Sequence, residues 1–395
     1  MDLRQELVRQ IRREGVSVSA AARVFGVSRK TAHKWLSRFD EDGKRGLVDR
    51  SRAPRSRPNA TAEDVVEALT QMRRRHRTWG GEKIRDRLVL DGWDPGDLPA
   101  VSTIGSILKR EGLVHARRKR PPTAPGSGQG ALSAGPNDLW TTDFKGDFKL
   151  GDGSRCYPLT IQDHSSRYVL SVRAMEGTTS ATARKEFRRV FQAYGVPKRI
   201  HSDNGVPFAA PGFTGLSHLA VDWMKQDIVI ERSRPACPQD NGAHERMHRD
   251  LKTETARPPC RTARGQQHRF TRWMRERNEY RPSRALDGQT PASVYESTAR
   301  EYQANPHPWE YAGHWETAKV KPNGMIRWGE AEVFLSASLR GERVGLVEID
   351  DGIWELWYRR TQLGLLNDRL KRRARAIVPN PWWVTRPQRA SRATH

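Results

Sequence analysis

The chain has 395 residues, of which 36% are hydrophobic, and its 70 lysines and arginines against 46 acidic residues give a formal net charge of +24. This surplus indicates a polyanionic partner, and nucleic acid is favoured over a membrane because no apolar run approaches a spanning length. Three cysteines without C-x-x-C spacing argue against a disulfide framework and a thiolate zinc site. A reduced, cytoplasmic protein of about two to four domains is therefore expected.

Residues 1–50 predict three short helices. Ser19 and Ser28 are the expected N-caps of the second and third, and Ala32, Trp35 and Phe39 form the buried stripe of the third. Two short helices joined through a glycine turn resemble a helix-turn-helix, in which the second helix enters the major groove. A three-helix bundle with a solvated basic face is the alternative. The candidate DNA contacts are Arg29, Lys30, His33, Lys34 and Arg38.

Residues 59–115 predict three more helical segments and resemble, more weakly, a second helix-turn-helix. Residues 116–136 are basic and then rich in Pro, Gly and Ser, which is typical of a flexible linker. A domain boundary is therefore expected there.

Residues 137–300 change to strand periodicity. Three consecutive strand-like runs are followed by alternating helix and strand, which predicts a mixed sheet with helices on both sides. Asp143 lies within the first run, Asp203 lies just past the fourth, and Glu245 lies in the first turn of a late helix. Asp240 or Asn241 is the expected N-cap of that helix.

Five segments carry a specific resemblance: LWTTDFKG, QDHSSRYVLSVRA, HSDNG, CPQDNGAHERMHRDLK and NEYRPSRALDGQTPASVY. In this order, from residue 137 to 297, they are similar to the retroviral-integrase-like DDE transposases of bacterial insertion sequences. The resemblance implies an RNase H-like catalytic core behind helix-turn-helix units, which cleaves DNA ends and joins them to a target.

The resemblance also implies that Asp143, Asp203 and Glu245 hold two Mg²⁺ ions, which Mn²⁺ replaces, with Asp143 bridging both. Phosphodiester transfer without a covalent intermediate needs such a metal pair, and Mg²⁺ prefers hard oxygen ligands. Here 41 residues separate Asp203 from Glu245, against about 35 in the family, and an insertion near residues 211–215 is expected to absorb the difference.

Other positions of the family pattern imply supporting roles. Asn204 matches a residue that shapes the loop after the second acid, and Gln239 matches one that contacts DNA. Lys252 either reaches a terminal phosphate or is a solvated helical lysine. His201 and His244 either touch the scissile phosphate or are structural.

Two further acids compete for the metal roles. Asp163 is expected to form a turn with Ser165, and Asp147 to be solvated at a strand end or ion-paired. Both interpretations are structural.

His244-Glu245-Arg246-Met247-His248 also matches H-E-x-x-H, the signature of zinc proteases. The extended signature needs Gly at position 251 and His at position 254, and neither is present. This interpretation leaves the basic charge and the HSDNG segment unexplained.

Residues 318–370 read as four or five short strands, with a hairpin turn at Asp351-Gly352, and predict a small SH3-like β-barrel. Trp354 and Trp357 are expected to pack rather than to stack on bases. Residues 371–395 form a basic tail.

The prediction as a whole is a multidomain transposase that binds terminal inverted repeats in double-stranded DNA. It is expected to assemble as a dimer or larger complex on DNA, associated with the bacterial nucleoid. The alternative is a non-catalytic DNA-binding regulator derived from a transposase.

Overall fold

The computed structural model describes residues 3–49, 60–114, 133–210, 214–233, 242–367 and 377–379. The chain divides into two compact units, Met1–Ala62 and Glu63–His395. In the part of the chain that is described, no helix is long and apolar enough to cross a membrane. Gln239, Asp240 and Asn241, to which a DNA contact and a helix cap were assigned, lie outside these ranges.

The first unit contains three helices and a short 3₁₀ helix: α1 (Leu3–Arg13), α2 (Val18–Val24), α3 (Arg29–Asp42) and Gly43–Leu47. Ser28 caps α3 as predicted, because its Oγ accepts a hydrogen bond from Thr31 N. The cap of α2 is Ser17 rather than Ser19, since α2 begins one residue before Ser19. Ala32 and Trp35 are buried, whereas Phe39 is only half-buried.

The second unit begins with α4 (Glu63–Arg75), α5 (Gly81–Leu90) and α6 (Val101–Arg110). Their shared core includes Leu69, Trp79 and Ile104, and Tyr280 from further along the chain packs against it. The three helices expected in this region are therefore present.

A six-stranded mixed sheet follows, made of β1 (Leu139–Phe144), β2 (Phe148–Lys149), β3 (Arg155–Asp163), β4 (Val169–Met175), β5 (Arg199–Ser202) and β6 (Val229–Arg232). The main order is β4-β3-β1-β5-β6, and the short β2 pairs with the start of β3. β1 is antiparallel to β3 and parallel to β5, and β5 is parallel to β6. The predicted mixed sheet is confirmed.

Helices α7 (Ser180–Tyr194), α8 (His218–Lys225), α9 (Gly242–Thr255) and α10 (Ala263–Arg275) cover both faces of this sheet, and the short α11 (Pro291–Val294) follows them in the chain. A π-helix, Glu276–Tyr280, extends α10, and a 3₁₀ turn spans Arg284–Leu286. Leu159 and Ile161 of β3 pack with α7 and α8, while Cys156 packs with α9 and α10. Alternate residues of a strand face opposite ways, so the two helix pairs lie on opposite faces.

The chain makes a closed excursion between β5 and α8. Ala209 and Leu216 form an isolated antiparallel bridge, and Ala210 N donates to Gly215 O. The buried Arg232 at the end of β6 donates from Nη2 to the carbonyls of Phe208 and Gly215. The chain therefore leaves and re-enters the core at one place.

The C-terminal strands are β7 (Glu316–Lys319), β8 (Met325–Trp328), β9 (Ala331–Phe334), β10 (Arg343–Asp350), β11 (Ile353–Tyr358), β12 (Thr361–Asn367) and β13 (Ile377–Pro379), with a 3₁₀ turn at Ala337–Leu339. The longer sheet has the order β13-β12-β11-β10-β7, and β8 and β9 form a separate hairpin.

The predicted SH3-like barrel is not seen. Among the strands described here, β7 and β13 are the two edges of an open sheet and do not pair with each other. The Asp351-Gly352 turn between β10 and β11 is confirmed. Trp354 packs edge-on against Trp328, and Trp357 lies beside Trp315, so both tryptophans pack as predicted.

Candidate active site

Asp143 and Asp203 are brought together by the parallel pairing of β1 with β5. The register aligns Leu139 with Arg199 and Thr141 with His201. Continued by two residues, the same register aligns Asp143 with Asp203, which follows the last residue of β5. Asp203 is exposed, and its Oδ1 accepts a hydrogen bond from Gly205 N at 3.1 Å.

Glu245 lies in the first turn of α9, and the helix is fixed on the sheet by two histidines one turn apart. The rings of His244 and His248 are buried, whereas Glu245 is exposed. Spacing of one residue turns a helical side chain by about 100°, so burial of the histidines directs Glu245 away from the sheet.

Thr160 of β3 holds both histidines. Its hydroxyl donates to the carbonyl of Asp143 (2.9 Å), so the ring Nε2–H groups of His244 (2.7 Å) and His248 (2.6 Å) donate to its oxygen. Thr141 Oγ1 completes the network at 2.8 Å from His244 Nδ1. One threonine thereby connects the strand of Asp143 with the helix of Glu245.

Both histidines are neutral. Burial lowers the pKa of His248 to about 3 and lowers that of His244 well below its ordinary value. Neutral rings each offer one donor and one acceptor, which this network requires.

The charges of the other two acids affect the pKa of Asp143. Its side chain is 27% exposed and Oδ2 lies 3.5 Å from His248 Nδ1. Burial, and then the negative charge of Asp203 and more weakly that of Glu245, raise the pKa of Asp143 to about 7. A cation between the three carboxylates would relieve this repulsion.

The residues provide suitable donor atoms for a metal ion, but their side chains are not arranged around one position. Three carboxylates on separate elements are the hard oxygen donors that Mg²⁺ takes. Within the described ranges, however, no group of three His, Cys, Asp or Glu side chains converges closely enough to hold an ion. The side chains of the two exposed acids, Asp203 and Glu245, must rotate for all three carboxylates to share one.

Asn204 and His201 support the loop after the second acid. Asn204 Nδ2 donates to the carbonyl of Ser233 at 2.8 Å, tying the end of β5 to the end of β6. His201 is buried, with Nε2 2.9 Å from Ser233 Oγ and Nδ1 3.9 Å from Glu231. Asn204 therefore contacts the end of β6, its role in shaping the loop stays a prediction, and the described contacts of His201 are with neighbouring side chains.

The two competing acids have structural roles. Asp147 forms an ion pair with Arg155, as expected. Asp163 is buried and forms a turn, but its partner is Ser166 rather than Ser165: Oδ1 accepts from Ser166 N (2.8 Å) and Oγ (2.6 Å). Its Oδ2 accepts from Asn137 N, which fixes the start of β1.

The zinc-protease interpretation is not supported. His244 and His248 direct their Nε2 atoms to Thr160, in the interior of the sheet–helix interface, whereas Glu245 is exposed. A zinc protease needs both imidazoles and the glutamate around one open metal position.

Of the proposed DNA contacts that the structure describes, all but Arg38 are exposed. Arg29, Lys30, His33 and Lys34 are exposed on α3, and Lys252 is exposed on α9. Arg38 is half-buried, with its guanidinium over the Trp35 ring at 5.2 Å. Packing is therefore at least part of its role.

Thr160 and Arg232 belong to the site but were not among the predicted residues. Arg232 is buried behind Asp203, and burial lowers its pKa to about 10, an effect that the charge of Asp203 partly opposes. Arg232 is the last residue of a strand-like run in the sequence, and a charged residue at a strand end is a signal that could have indicated it. Thr160 gives none, since threonine is common in buried strands.

Four family models match the chain. Residues 3–55 match a helix-turn-helix domain and residues 31–108 a homeodomain-like domain. Residues 133–223 and 226–291 match two integrase core domain models.

Curated relatives cover parts of the chain. It is 24% identical over 201 residues to the "Insertion element IS407 uncharacterized 31.7 kDa protein" of Burkholderia multivorans, over 50% of this chain and 64% of that protein. It is 32% identical over 71 residues to "Uncharacterized protein y4bC/y4pJ" of Sinorhizobium fredii, over 18% of this chain and 47% of that one. The chain thus spans less than two thirds of the length of these relatives.

Two solved structures show weak likeness. The simian T-cell lymphotropic virus intasome in complex with PP2A regulatory subunit B56 gamma has 17% identity and a TM-score of 0.38, over 75% of this chain and 97% of that one. The HTLV-2 integrase catalytic core domain in complex with magnesium, in its trimeric form, has 17% identity and a TM-score of 0.32, over 42% and 100%.

Proposed function

We propose that this chain, whose helix-turn-helix and integrase core domains are those of insertion-sequence transposases, is a metal-dependent DNA transposase of the DDE type. The observation that carries the proposal is the β1–β5 register, which, continued by two residues, aligns Asp143 with Asp203. The charges of both Asp203 and Glu245 raise the pKa of Asp143, so the three carboxylates lie near one another. Its helix-turn-helix units would bind the terminal inverted repeats of the element. It would act on DNA in the bacterial cytoplasm and nucleoid.

Asp143, Asp203 and Glu245 are the residues that would hold two Mg²⁺ ions, or Mn²⁺ in their place. When bound, such ions lower the pKa of a nucleophilic water or 3′-OH and stabilise charge on the attacking and leaving oxygens. Asp143, whose pKa burial raises to about 7, would hold such an ion in its deprotonated form. Asn204 holds the loop of Asp203, and the Thr160 network holds α9.

The same acids would serve two reactions in turn: hydrolysis that exposes a 3′-OH at each end of the element, then attack of that 3′-OH on target DNA. Because two ends must be joined to one target, we expect a dimer or larger assembly on DNA. Gln239 and Lys252 remain proposed DNA contacts.

The test is strand joining with labelled duplexes made from the DNA that flanks this gene, in Mg²⁺ or Mn²⁺. The wild type should form joined products, and Asp203→Asn should form none, because one ligand oxygen loses its charge. Asp147→Asn is the matched control: that aspartate pairs with Arg155, so its variant should keep activity.

A non-catalytic regulator is the second candidate. It would bind the end duplex equally well with and without Mg²⁺ and yield no joined product from the wild type. That result would replace the transposase proposal.

A further inference from the structure

A cavity of about 280 Å³ lies beside α9, and α5, Gln162 of β3 and residues within 277–291 also line it. Its wall includes two carboxylates, Glu82 and Asp250, against six cationic side chains: Lys83, Arg167, Arg246, Arg277, Arg281 and Arg284. The cavity is therefore strongly positive.

Internal ion pairs neutralise only part of this charge. Asp250 accepts from Arg277 (3.3 Å) and Arg281 (3.4 Å), and Arg281 also donates to Glu254 at 2.5 Å. Arg284 approaches Glu82 at 3.4 Å. Lys83 and Arg246 make no ion pair with any residue in the described ranges. Lys83 and Arg246 thus line the cavity without a carboxylate of the described residues at ion-pair distance.

Several donors in the wall also lack acceptors. Arg281 has a side chain only 5% exposed, yet its Nε has no hydrogen-bond partner among the described residues. The same is true of Arg277 Nε and Arg167 Nη1. Buried donors without acceptors are costly, and a bound anion would satisfy them.

The cations also repel one another. Burial and then the charge of Arg281 lower the pKa of Lys83, and the same two causes lower that of Arg277 to about 10. An anion in the cavity would remove this penalty.

The cavity lies between α5, one of the three helices α4–α6, and α9, the helix of Glu245. Lys83 comes from α5, whereas Arg246 and Asp250 come from α9. Arg246 follows Glu245 directly, so its side chain points about 100° further round the helix. One helix thus has the candidate catalytic acid on one side and the cationic cavity on the next.

We propose that this cavity, defined by Lys83, Arg246 and Arg281, binds a phosphodiester group of the DNA strand that crosses α9. The inference deepens the proposed function, since it names where the DNA backbone is held beside the catalytic acids. Arg246, whose guanidinium has no acidic partner among the described residues, can match two phosphate oxygens at once, and Arg281 Nε can donate to a third acceptor. The charge surplus exceeds what one peptide carboxylate would neutralise.

The test uses the full chain carrying Lys83→Gln and Arg246→Gln together, since neither residue has an ion pair to lose. Dissociation constants for an element-end duplex are measured without divalent metal across a series of salt concentrations. Losing one phosphate contact should make the slope of log K against log salt shallower by about 0.9. Thermal unfolding midpoints equal to wild type establish that the variant is folded.

Lys185→Gln is the matched control. Lys185 is exposed on α7, which covers the opposite sheet face, and it lines no part of the cavity. Its variant should keep the wild-type slope.

The outcomes separate the two proposals. A wild type that fails to bind duplex DNA undoes the proposed function together with the inference. If the wild type binds and the double variant keeps the same slope of log K against log salt, the inference about the cavity is wrong and the proposed function stands. Inorganic phosphate distinguishes the source: if it raises the unfolding temperature of wild type but the variant keeps its DNA slope, the cavity holds a free anion and the inference is wrong.

Discussion

Thr160 shows how much of the candidate site depends on one hydroxyl group. Thr160→Val keeps the shape of the side chain but leaves the Nε2–H groups of two buried histidines without an acceptor. Each unsatisfied buried donor costs about 1–3 kcal/mol, so we expect a loss of at least about 2 kcal/mol in unfolding free energy. Urea unfolding measures it, and strand joining should fall as α9 loosens.

Thr142→Val is the control for this substitution. Thr142, on β1, is buried like Thr160, but its hydroxyl makes a single hydrogen bond within the described residues, to the carbonyl of Thr160. A loss equal to that of Thr160→Val would mean that the histidine network adds no stability.

His164 predicts a pH dependence of stability. Burial, and then the charge of Arg167, lower the pKa of His164 to about 4 from its ordinary value near 6.5. The folded state therefore favours the neutral ring, and its stabilisation is complete above pH 6.5 and lost as the pH falls toward 4. The ring is only partly buried, so solvent screening reduces the loss below the value of about 1.4 kcal/mol per pKa unit that a fully buried group would give.

His164→Gln removes this titration. Unfolding free energies of wild type and variant, compared at pH 7 and pH 4.5, should show a smaller drop in the variant. Because His244 and His248 also stay neutral in the fold, the variant keeps some acid sensitivity. Equal drops would contradict the assignment to His164.

At the scale of single residues, the sequence predicted where Asp143 and Asp203 lie, one within a strand and one just past a strand, because each belongs to a short specific segment. It did not predict the Thr160 network. A histidine's contacts depend on which residues the sheet places opposite it, here Thr160, which lies 84 residues before His244.

Among the elements, α3 and the 3₁₀ helix after it are packed with no space to spare. A Cβ added at Gly46 would lie 1.9 Å from the carbonyl oxygen of Arg38. Gly46→Ala must therefore push the 3₁₀ helix off α3, and we expect it to cost about 1–3 kcal/mol or more.

Gly26→Ala in the same unit is the comparison. Gly26 has a φ of +66° and open space around its Cα, so alanine there meets backbone strain alone, about 1 kcal/mol. Denaturant unfolding of both variants measures the difference. A smaller cost at Gly46 than at Gly26 would show that the 3₁₀ helix yields freely.

The C-terminal strands show why elements are easier to predict than their arrangement. Alternating residues and the Asp351-Gly352 turn suffice to indicate β10 and β11, because hairpins are local. Barrel closure instead depends on pairing between β7 and β13, about 60 residues apart, and no local pattern encodes it.

For the molecule as a whole, helices α4–α6 are joined to the mixed-sheet region through Tyr280. The ring of Tyr280 lies 5.5 Å from that of His76, 5.9 Å from that of Trp79 and 4.2 Å from the guanidinium of Arg87. Thr78 Oγ1 also donates to Glu254 of α9 at 2.6 Å. DNA bound by α4–α6 would therefore be held at a fixed distance from α9.

Tyr280→Ala should loosen this attachment while leaving the sheet intact. We expect faster amide hydrogen exchange in α4–α6, with unchanged protection in β1 and β3. Metal-dependent joining should fall more than DNA affinity. Unchanged exchange in α4–α6 would mean that the other contacts suffice.

The bridge between Ala209 and Leu216 bears on how related chains are recognised. Six residues lie between the two, which matches the excess of this chain over the family's usual interval between its second and third acids. Because the excursion closes on itself, evolution can lengthen or shorten it without displacing α8, β6 or the helix that follows. If the proposed function holds, searches that require a constant interval between these acids would miss chains in which this excursion is longer.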